Sequence, residues 1–245
     1  MSDVSLEDPS LQRACDDDLI TDVLHVIKSG KEATVYCCRA HPRTGHKLLA
    51  AKVYRPLEYR RFRNDAVYRS ARVILDRRLR RAVRRKTRTG RGVQFGMWMG
   101  NEFETLQILH GAGADVPQPV ALCGSAVLME YVGAERSPAR TLNKVKLAPD
   151  EAEPLFARLM RNVELWLAHH RVHADLSAFN ILYWKGRMKV IDFPQAVDPR
   201  LNPSSFMLLL RDVDHVCGYF SRFAVQANPH ELAEDLWTRY LRDEL

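Results

Sequence analysis

His173, Asp175 and Asn180 stand in the stretch HADLSAFN, and Asp192 follows twelve residues after Asn180 in VIDF. Types and spacing together point to phosphoryl transfer from ATP. That reaction needs a carboxylate beside the acceptor hydroxyl and hard oxygen ligands for Mg2+. An Asp and an Asn five residues apart on a loop supply that carboxylate and one metal ligand. A second Asp just after a buried strand supplies the other ligand, bridging the phosphates through the metal. An isolated HxD reads as an ordinary polar turn between strands; the complete spacing does not. The imidazoles of His169, His170 and His173 raise zinc as an alternative, but the second cluster needed to close such a site is missing. His173 is better read as a brace for the loop.

The elements that must position these residues follow from periodicity. Leu19 to Ile27 reads as a short helix or a strand. SGKEATVYCCRA and Leu48 to Pro56 are β-branched and aromatic runs separated by HPRTGHK, the pattern of a hairpin. Phe95 to Leu109 has helical spacing, with Trp98, Phe103, Leu106 and Leu109 on one side, and ends at His110-Gly-Ala-Gly113 before VPQP. Ala126 to Gly133 reads as a buried strand opening into a connector. Leu155, Leu159, Val163 and Leu167 mark a helix within Glu151 to His170. Ile181 to Tyr183 and Met188 to Ile191 read as strands around a turn at Lys185 to Arg187. Phe206 to Phe220 and His230 to Leu241 read as helices. Arg211 and Asp212 are expected as a buried pair near the loop.

Of 245 residues, 46% are hydrophobic and 27% charged, which excludes disordered, collagen-like and coiled-coil chains. No apolar run of about 18 residues occurs, so a membrane span is not expected. Five cysteines without a CxxC pair argue against a disulfide scaffold and for a reducing, cytoplasmic setting. The net charge of +7 is unevenly spread. Between Arg55 and Arg91 lie fifteen Lys/Arg and three acidic residues, leaving 22 basic and 27 acidic residues on the other 208. This basic insert has two readings, contact with RNA phosphates or a solvated segment without a fixed partner. Within it Phe62, Ala66, Ser70, Val73 and Leu75 allow an amphipathic helix, and Lys86 to Gly92 (KTRTGRG) reads as a mobile loop.

HxDxxxxN followed by IDF resembles the catalytic loop and metal-binding segment of the protein-kinase-like superfamily. Ala50-Ala51-Lys52 resembles the kinase strand whose Lys grips the α/β-phosphates, with Glu102 as its partner. Met129 to Val132 resembles the hinge, where the Glu130 carbonyl and Val132 amide would pair with adenine and Val35, Ala50, Leu182 and Ile191 would sandwich it. SGKEATVY has neither GxGxxG nor a Walker A pattern. Together with AAKVYR, NEFETLQ, VPQP, LMEYVG, HADLSAFNIL, IDFPQAVD and LLLRDVDHVCGYFSRF, it is similar in order to the RIO family of atypical serine kinases. The likeness runs from about Asp16 to the C-terminus. Its wording, without an added N-terminal winged-helix module, looks most like the bacterial members.

The resemblance implies a bilobal α+β fold: an N-terminal tail over 1–18, a strand-rich N-lobe over 19–130 with a basic flexible insert at 55–92, and a helical C-lobe over 131–245. It implies an Mg2+- or Mn2+-dependent, ATP-using serine/threonine kinase that autophosphorylates or acts mainly as an ATPase. Asp175 would be the base, Asn180 and Asp192 the metal ligands, and Lys52 the partner of Glu102. Ser29 and Lys31 would approach the phosphates, and Asp192 could itself accept phosphate. An unidentified protein would be the substrate, with ribosomal RNA or a ribosomal partner on Arg55 to Arg91. Ala174 replaces the Gly of HGD, Ala178 a common Glu, and Pro194 the Gly of DFG. Ser177 stands where serine/threonine kinases place a Lys. No APE motif follows, and the 53 residues after Asp192 cannot hold both an activation segment and a peptide-docking subdomain. The rivals are a small-molecule phosphotransferase of the aminoglycoside or choline type, and a non-catalytic RNA-binding factor.

Overall fold

A computed structural model of the chain describes residues 8–55, 88–148 and 150–245. They form two compact units, the first of residues 8–55, 88–103 and 117–138, the second of 104–116, 139–148 and 150–245.

The first unit is built on a five-stranded antiparallel sheet. Its strands are β1 (Ile20–Ser29), β2 (Ala33–Ala40), β3 (Leu48–Tyr54), β4 (Pro119–Cys123) and β5 (Ala126–Glu130), in the order β1-β2-β3-β5-β4, and a short two-stranded ladder of β6 (Gly133–Ala134) and β7 (Ser137–Pro138) follows. The stretch Leu19 to Ile27 is therefore strand, and β2 and β3 form the expected hairpin. Successive side chains alternate between the two faces of a strand. Cys38, Leu49, Ala51, Val53, Ala126 and Leu128 share one face, where they join a core with Leu11 and Ala14 of helix α1 (Pro9–Asp16). The register sets Val35 opposite Lys52, Cys37 opposite Ala50, and Val127 opposite Lys52, so these residues share the other face. Burial pushes the Cys38 thiol up to about 12, and that of Cys37 to about 11. Both thiols therefore stay neutral and pack as small apolar groups.

Helix α1 corrects the tail expected over 1–18. Asp8 caps it, accepting from Ser10 N at 2.8 Å, and Pro9 occupies the first turn. Ser10 Oγ lies 2.8 Å from Ser125 Oγ. Beside it Gly124 has φ +56°, and a Cβ there would stand 2.9 Å from Ser10 Oγ. Only glycine allows this approach of helix and turn. Leu11 is 1% exposed, so a short acidic segment with few apolar residues is ordered through one buried face.

Helix α2 (Arg88–Gly111) begins earlier than its apolar spacing predicts. From Arg88 to Gly92 it replaces the loop expected over Lys86 to Gly92. Gly90 and Gly92 oppose helix by about 1 kcal/mol each, but no Pro interrupts the run, and elongation adds one hydrogen bond per residue fixed. The helix expected around Phe62 to Leu75 lies outside the described residues, as does most of the basic insert.

The second unit is mainly helical. It contains Leu106 and Leu109 of α2, buried at 1% and 0% exposure, then α3 (Ala152–Ala168), α4 (Ser205–Phe220) and α5 (Pro229–Leu241). Leu155, Leu159, Val163 and Leu167 are all buried, as their four-residue spacing requires. The strands β9 (Ile181–Trp184) and β10 (Arg187–Val190) form a hairpin, with β8 (Arg140–Thr141) on its edge. Its two-residue turn places Lys185 at φ 50° and Gly186 at φ 76°, the left-handed pair that matches strand twist. The strand-rich and helix-rich units together give an α+β, kinase-like fold of the bilobal class.

Truncating Leu11 to Ala is expected to lower stability by about 2–5 kcal/mol, while Gln12→Ala changes it by less than about 0.5 kcal/mol. Urea unfolding of both variants checks this; equal midpoints would mean that α1 is not part of the core.

Candidate active site

In the first unit, strand β3 carries Lys52 on the face away from the α1 core. Its Nζ lies 2.6 Å from Glu102 Oε1 of α2, joining two residues fifty positions apart. Glu102 is 1% exposed, and a buried carboxylate is tolerated only when its lone pairs are satisfied. Tyr54, two residues after Lys52 on the same face, donates its hydroxyl to Glu102 Oε2. The Lys52 ammonium also sits 5.0 Å from the centre of the Tyr54 ring. The expected Lys–Glu pair is therefore present, with Tyr54 as a third member that the sequence reading missed.

The segment SGKEA is a tight hairpin loop. Ser29 pairs with Thr34 across β1 and β2, their hydroxyls 3.2 Å apart, and Gly30 N donates to Ala33 O at 2.9 Å. Lys31 and Glu32 project at the exposed tip. Val35 and Ala50 lie on the Lys52 face, half-buried and buried respectively. At the end of β5, the Glu130 N–H donates to Gln118 O at 2.8 Å, and Tyr131 fixes the following bend through Ala134 O at 2.8 Å. Val132 is half-buried there.

In the second unit the loop His173 to Asn180 leads directly into β9. Asp175 reaches solvent, yet its carboxyl is held above the usual carboxylate range. Desolvation by the surrounding protein is the main cause, and the Asp192 charge adds to it. Arg211, Asn180 and His215 pull the other way. A neighbouring like charge disfavours the ionised form, so Asp192 lies near enough to Asp175 to be felt by it. Asn180 Nδ2 donates to Asp175 O at 2.9 Å, which leaves Asn180 Oδ1 as the oxygen available to a cation. Asp192 follows β10 with φ +75°, a left-handed conformation for a residue with a Cβ.

His173 ties these parts together. Its Nδ1 accepts from Asp175 N at 3.3 Å, so the ring proton sits on Nε2, 3.2 Å from Ile191 O. Its ring packs against Phe193, centroids 4.4 Å apart, and Phe193 meets Trp166 edge-on. One neutral imidazole thus links the backbone at Asp175 to the residue before Asp192. Leu182, on β9, and Ile191, the residue after β10, are half-buried beside this link.

Helix α4 holds the loop from below. Asp212, 2% exposed, accepts from Ala174 N at 2.6 Å and Leu176 N at 3.0 Å, while Arg211 donates to Ala174 O. His215, one turn on, lies 3.2 Å from Leu176 O through Nδ1. Burial pushes the Asp212 carboxyl up to about 7 against these donors and the Arg211 charge. The expected Arg211–Asp212 pair is thus less a pair than two halves of one clamp on the loop backbone. Ala174 itself has φ +64°, where Ala is disfavoured by about 1–2 kcal/mol relative to Gly. That is the physical meaning of Ala174 standing in place of the Gly of HGD.

An Asn oxygen and an Asp carboxylate suit Mg2+, which takes hard oxygen donors, keeps several waters and shares its shell with substrate phosphates. Among the described residues no group of three or more His, Cys, Asp or Glu side chains could hold a metal unaided. The donor set therefore fits a cation brought in with phosphate.

Comparison with known proteins adds a family. The family model for the RIO domain matches residues 34–232. The chain belongs to the RIO family. The RIO match covers Lys52, Glu102, Asp175, Asn180 and Asp192, and begins just after Ser29 to Ala33. The serine/threonine-protein kinase RIO1 of Caenorhabditis elegans is 32% identical over 130 residues, 53% of this chain and 26% of that protein. The RIO-type serine/threonine-protein kinase Rio1 of Thermoplasma acidophilum is 28% identical over 149 residues, 61% of this chain and 77% of that protein. This chain therefore spans about a quarter of the C. elegans relative and about three quarters of the archaeal one. Among solved structures, a Rio2 kinase–ADP/Mg2+–phosphoaspartate complex from Chaetomium thermophilum gives a TM-score of 0.69 at 23% identity. It covers 93% of this chain and 64% of that chain, and the likeness shows a shared RIO kinase fold.

Replacing Asp212 by Ala strands two buried N–H groups and is expected to lower stability by roughly 2–5 kcal/mol in urea unfolding; a loss below about 1 kcal/mol would deny the clamp. Carbon-detected NMR titration should find the Asp175 carboxyl above the usual range. Asp192→Asn should bring it down only partly, because burial is the larger cause; a full return to the ordinary value would reverse that ranking.

Proposed function

We propose that this RIO-family chain is an ATP- and Mg2+-dependent serine/threonine protein kinase that autophosphorylates, turns over ATP, or does both. The observation that carries the reading is Asp175: a solvent-reaching carboxyl held above its ordinary range beside Asp192, on a loop whose backbone is clamped from α4. A general base works best when its pKa approaches the working pH and its position is fixed. Asp175 takes the proton of the acceptor hydroxyl. Lys52, oriented by Glu102, binds the α/β-phosphates, with Ser29 and Lys31 at the phosphate hairpin. Glu130 and Val132 offer backbone groups to adenine, and Val35, Ala50, Leu182 and Ile191 supply its apolar surroundings. Asn180 Oδ1 and the Asp192 carboxylate hold the metal, which neutralises charge on the phosphates when bound. The ADP/Mg2+ and phosphoaspartate of the C. thermophilum Rio2 complex support both the cofactors and Asp192 as a transient acceptor. Names of relatives as serine/threonine-protein kinases support a protein hydroxyl as the lasting one.

The partner and the compartment rest on composition. We assign the run from Arg55 to Arg91 to a polyanionic partner such as ribosomal RNA, because its +12 balance is confined to one segment. Five free cysteines, four of them buried, support a reducing cytoplasm. Among the described residues no helix is long and apolar enough to cross a membrane.

Purified protein should consume ATP with Mg2+ or Mn2+, and Asp175→Ala and Asp192→Asn should each lower turnover by at least about 10²-fold. Unchanged consumption in both variants would end this assignment. Labelled ATP offered with the protein alone, with protein acceptors and with aminoglycosides or choline should label protein; label on the small molecules instead would make the chain a small-molecule phosphotransferase.

A further inference from the structure

Glu102 divides its two oxygens between different donors. Oε1 accepts from Lys52 Nζ at 2.6 Å, and Oε2 accepts from the Tyr54 hydroxyl. The Glu102 side chain is 1% exposed and that of Lys52 14%, so protein contacts rather than water set the geometry of the pair. Tyr54 starts from a fixed point. It lies opposite Ala33 of β2, its backbone N–H donates to Ser125 O at 2.9 Å, and the residue is buried. The same strand thus delivers Lys52 and, two residues on and on the same face, the hydroxyl that holds the partner of Lys52.

A carboxylate can offer both oxygens to one cation. With Oε2 engaged by Tyr54, Glu102 meets the ammonium through Oε1 instead of turning both oxygens to it. A Lys head carries three N–H donors and no rigid fork, so the group that holds one of them decides where the others point. The Tyr54 ring adds a second restraint, because the ammonium sits 5.0 Å from its centre. One side chain therefore touches both members of the pair, the anion through its hydroxyl and the cation through its ring. A neutral phenol does so without adding a charge. A cation in its place would compete with Lys52 for Glu102, and an anion would hold Lys52 back from a phosphate.

We propose that Tyr54 is a positioning residue for the phosphate-binding lysine. By holding Glu102 Oε2 it keeps the Lys52–Glu102 pair assembled before nucleotide arrives and keeps the ammonium directed at the phosphates. The proposal rests on the ATP-binding reading above, and Tyr54 itself touches no reactant in it.

The test is calorimetric titration of the full chain with ATP and adenosine, in the presence of Mg2+, for the wild type, Tyr54→Phe, Lys52→Ala and the double variant. Tyr54→Phe keeps the ring and removes only the hydroxyl. It should weaken ATP binding by about fivefold and leave adenosine within about twofold. In the Lys52→Ala background the same change should weaken ATP by less than about twofold, since the hydroxyl acts through Lys52. Unchanged ATP affinity in Tyr54→Phe would overturn the proposal. Equal losses for ATP and adenosine, or the same loss with and without Lys52, would also overturn it, because a merely structural tyrosine gives those results. A measurement on the wild type stands even if Tyr54→Phe does not fold. Lysine 15N NMR of the nucleotide-free protein, with Lys52 assigned by its loss in Lys52→Ala, should show a Lys52 ammonium protected from exchange; protection that appears only after ATP is added would overturn the proposal. Wild-type protein that binds neither ATP nor adenosine would overturn the functional reading itself.

Discussion

Backbone N–H groups in a loop have no ladder to join, and a catalytic loop must still hold its geometry to fractions of an ångström. Asp212 meets that requirement with one buried carboxylate bonded to Ala174 N and Leu176 N, on either side of Asp175. Arg211 takes the Ala174 carbonyl and His215 approaches that of Leu176, so a single turn of α4 reads the polar groups on both sides of Asp175. The remaining features of the second unit depend on this grip. Ala174 can be kept at φ +64° because its N–H and carbonyl are both held. With Asp175 fixed, the His173 ring can pack tilted against Phe193 and carry the constraint to Ile191, one residue before Asp192.

The first unit solves its positioning problem by a different means, the two-residue repeat of a strand. Once α1 covers the face of Leu49, Ala51 and Val53, the pleat leaves Ala50, Lys52 and Tyr54 on the other face. Glu102 then meets Lys52 and Tyr54 together, so an otherwise costly buried carboxylate has two donors. A one-residue slip of β3 would send Lys52 into the α1 core, which makes the core a guarantor of register.

Much of this was legible in the sequence, for reasons that differ by residue. Asp175, Asn180 and Asp192 could be read because their spacing is imposed by the chemistry and is local. Lys52 and Glu102, fifty residues apart, could be paired because the kinase resemblance asks for a Glu on the helix that follows the Lys strand, and helical periodicity placed Glu102 on such a helix. Helix α1 escaped notice for want of apolar residues, yet Asp8-Pro9 carries both a cap and a first-turn proline, signals that could have revealed it. The start of α2 at Arg88 was hidden by Gly90 and Gly92, whose local preference for a turn is overridden by helix elongation. Tyr54 and His215 lie within AAKVYR and LLLRDVDHVCGYFSRF, but nothing in those runs points to their partners, Glu102 and the Leu176 carbonyl, which are many residues away.

Two of the left-handed non-glycine residues, Ala174 and Asp192, lie at the candidate site itself. Each stands at the proposed chemistry, Ala174 next to Asp175, the proposed base, and Asp192 as a proposed metal ligand. Backbone held in such a conformation is disfavoured by a kcal/mol or more and persists where neighbouring contacts over-determine it. Both are over-determined here, Ala174 by Arg211 and Asp212, Asp192 by the bonds of Ile191 to Asn180 and His173 and by the burial of Phe193. The same contacts bring two carboxylates near enough to raise the pKa of one of them. Strain, charge repulsion and buried polar bonds, each unfavourable alone, therefore converge on one short stretch of chain. That convergence is expected of a site selected for chemistry rather than for stability.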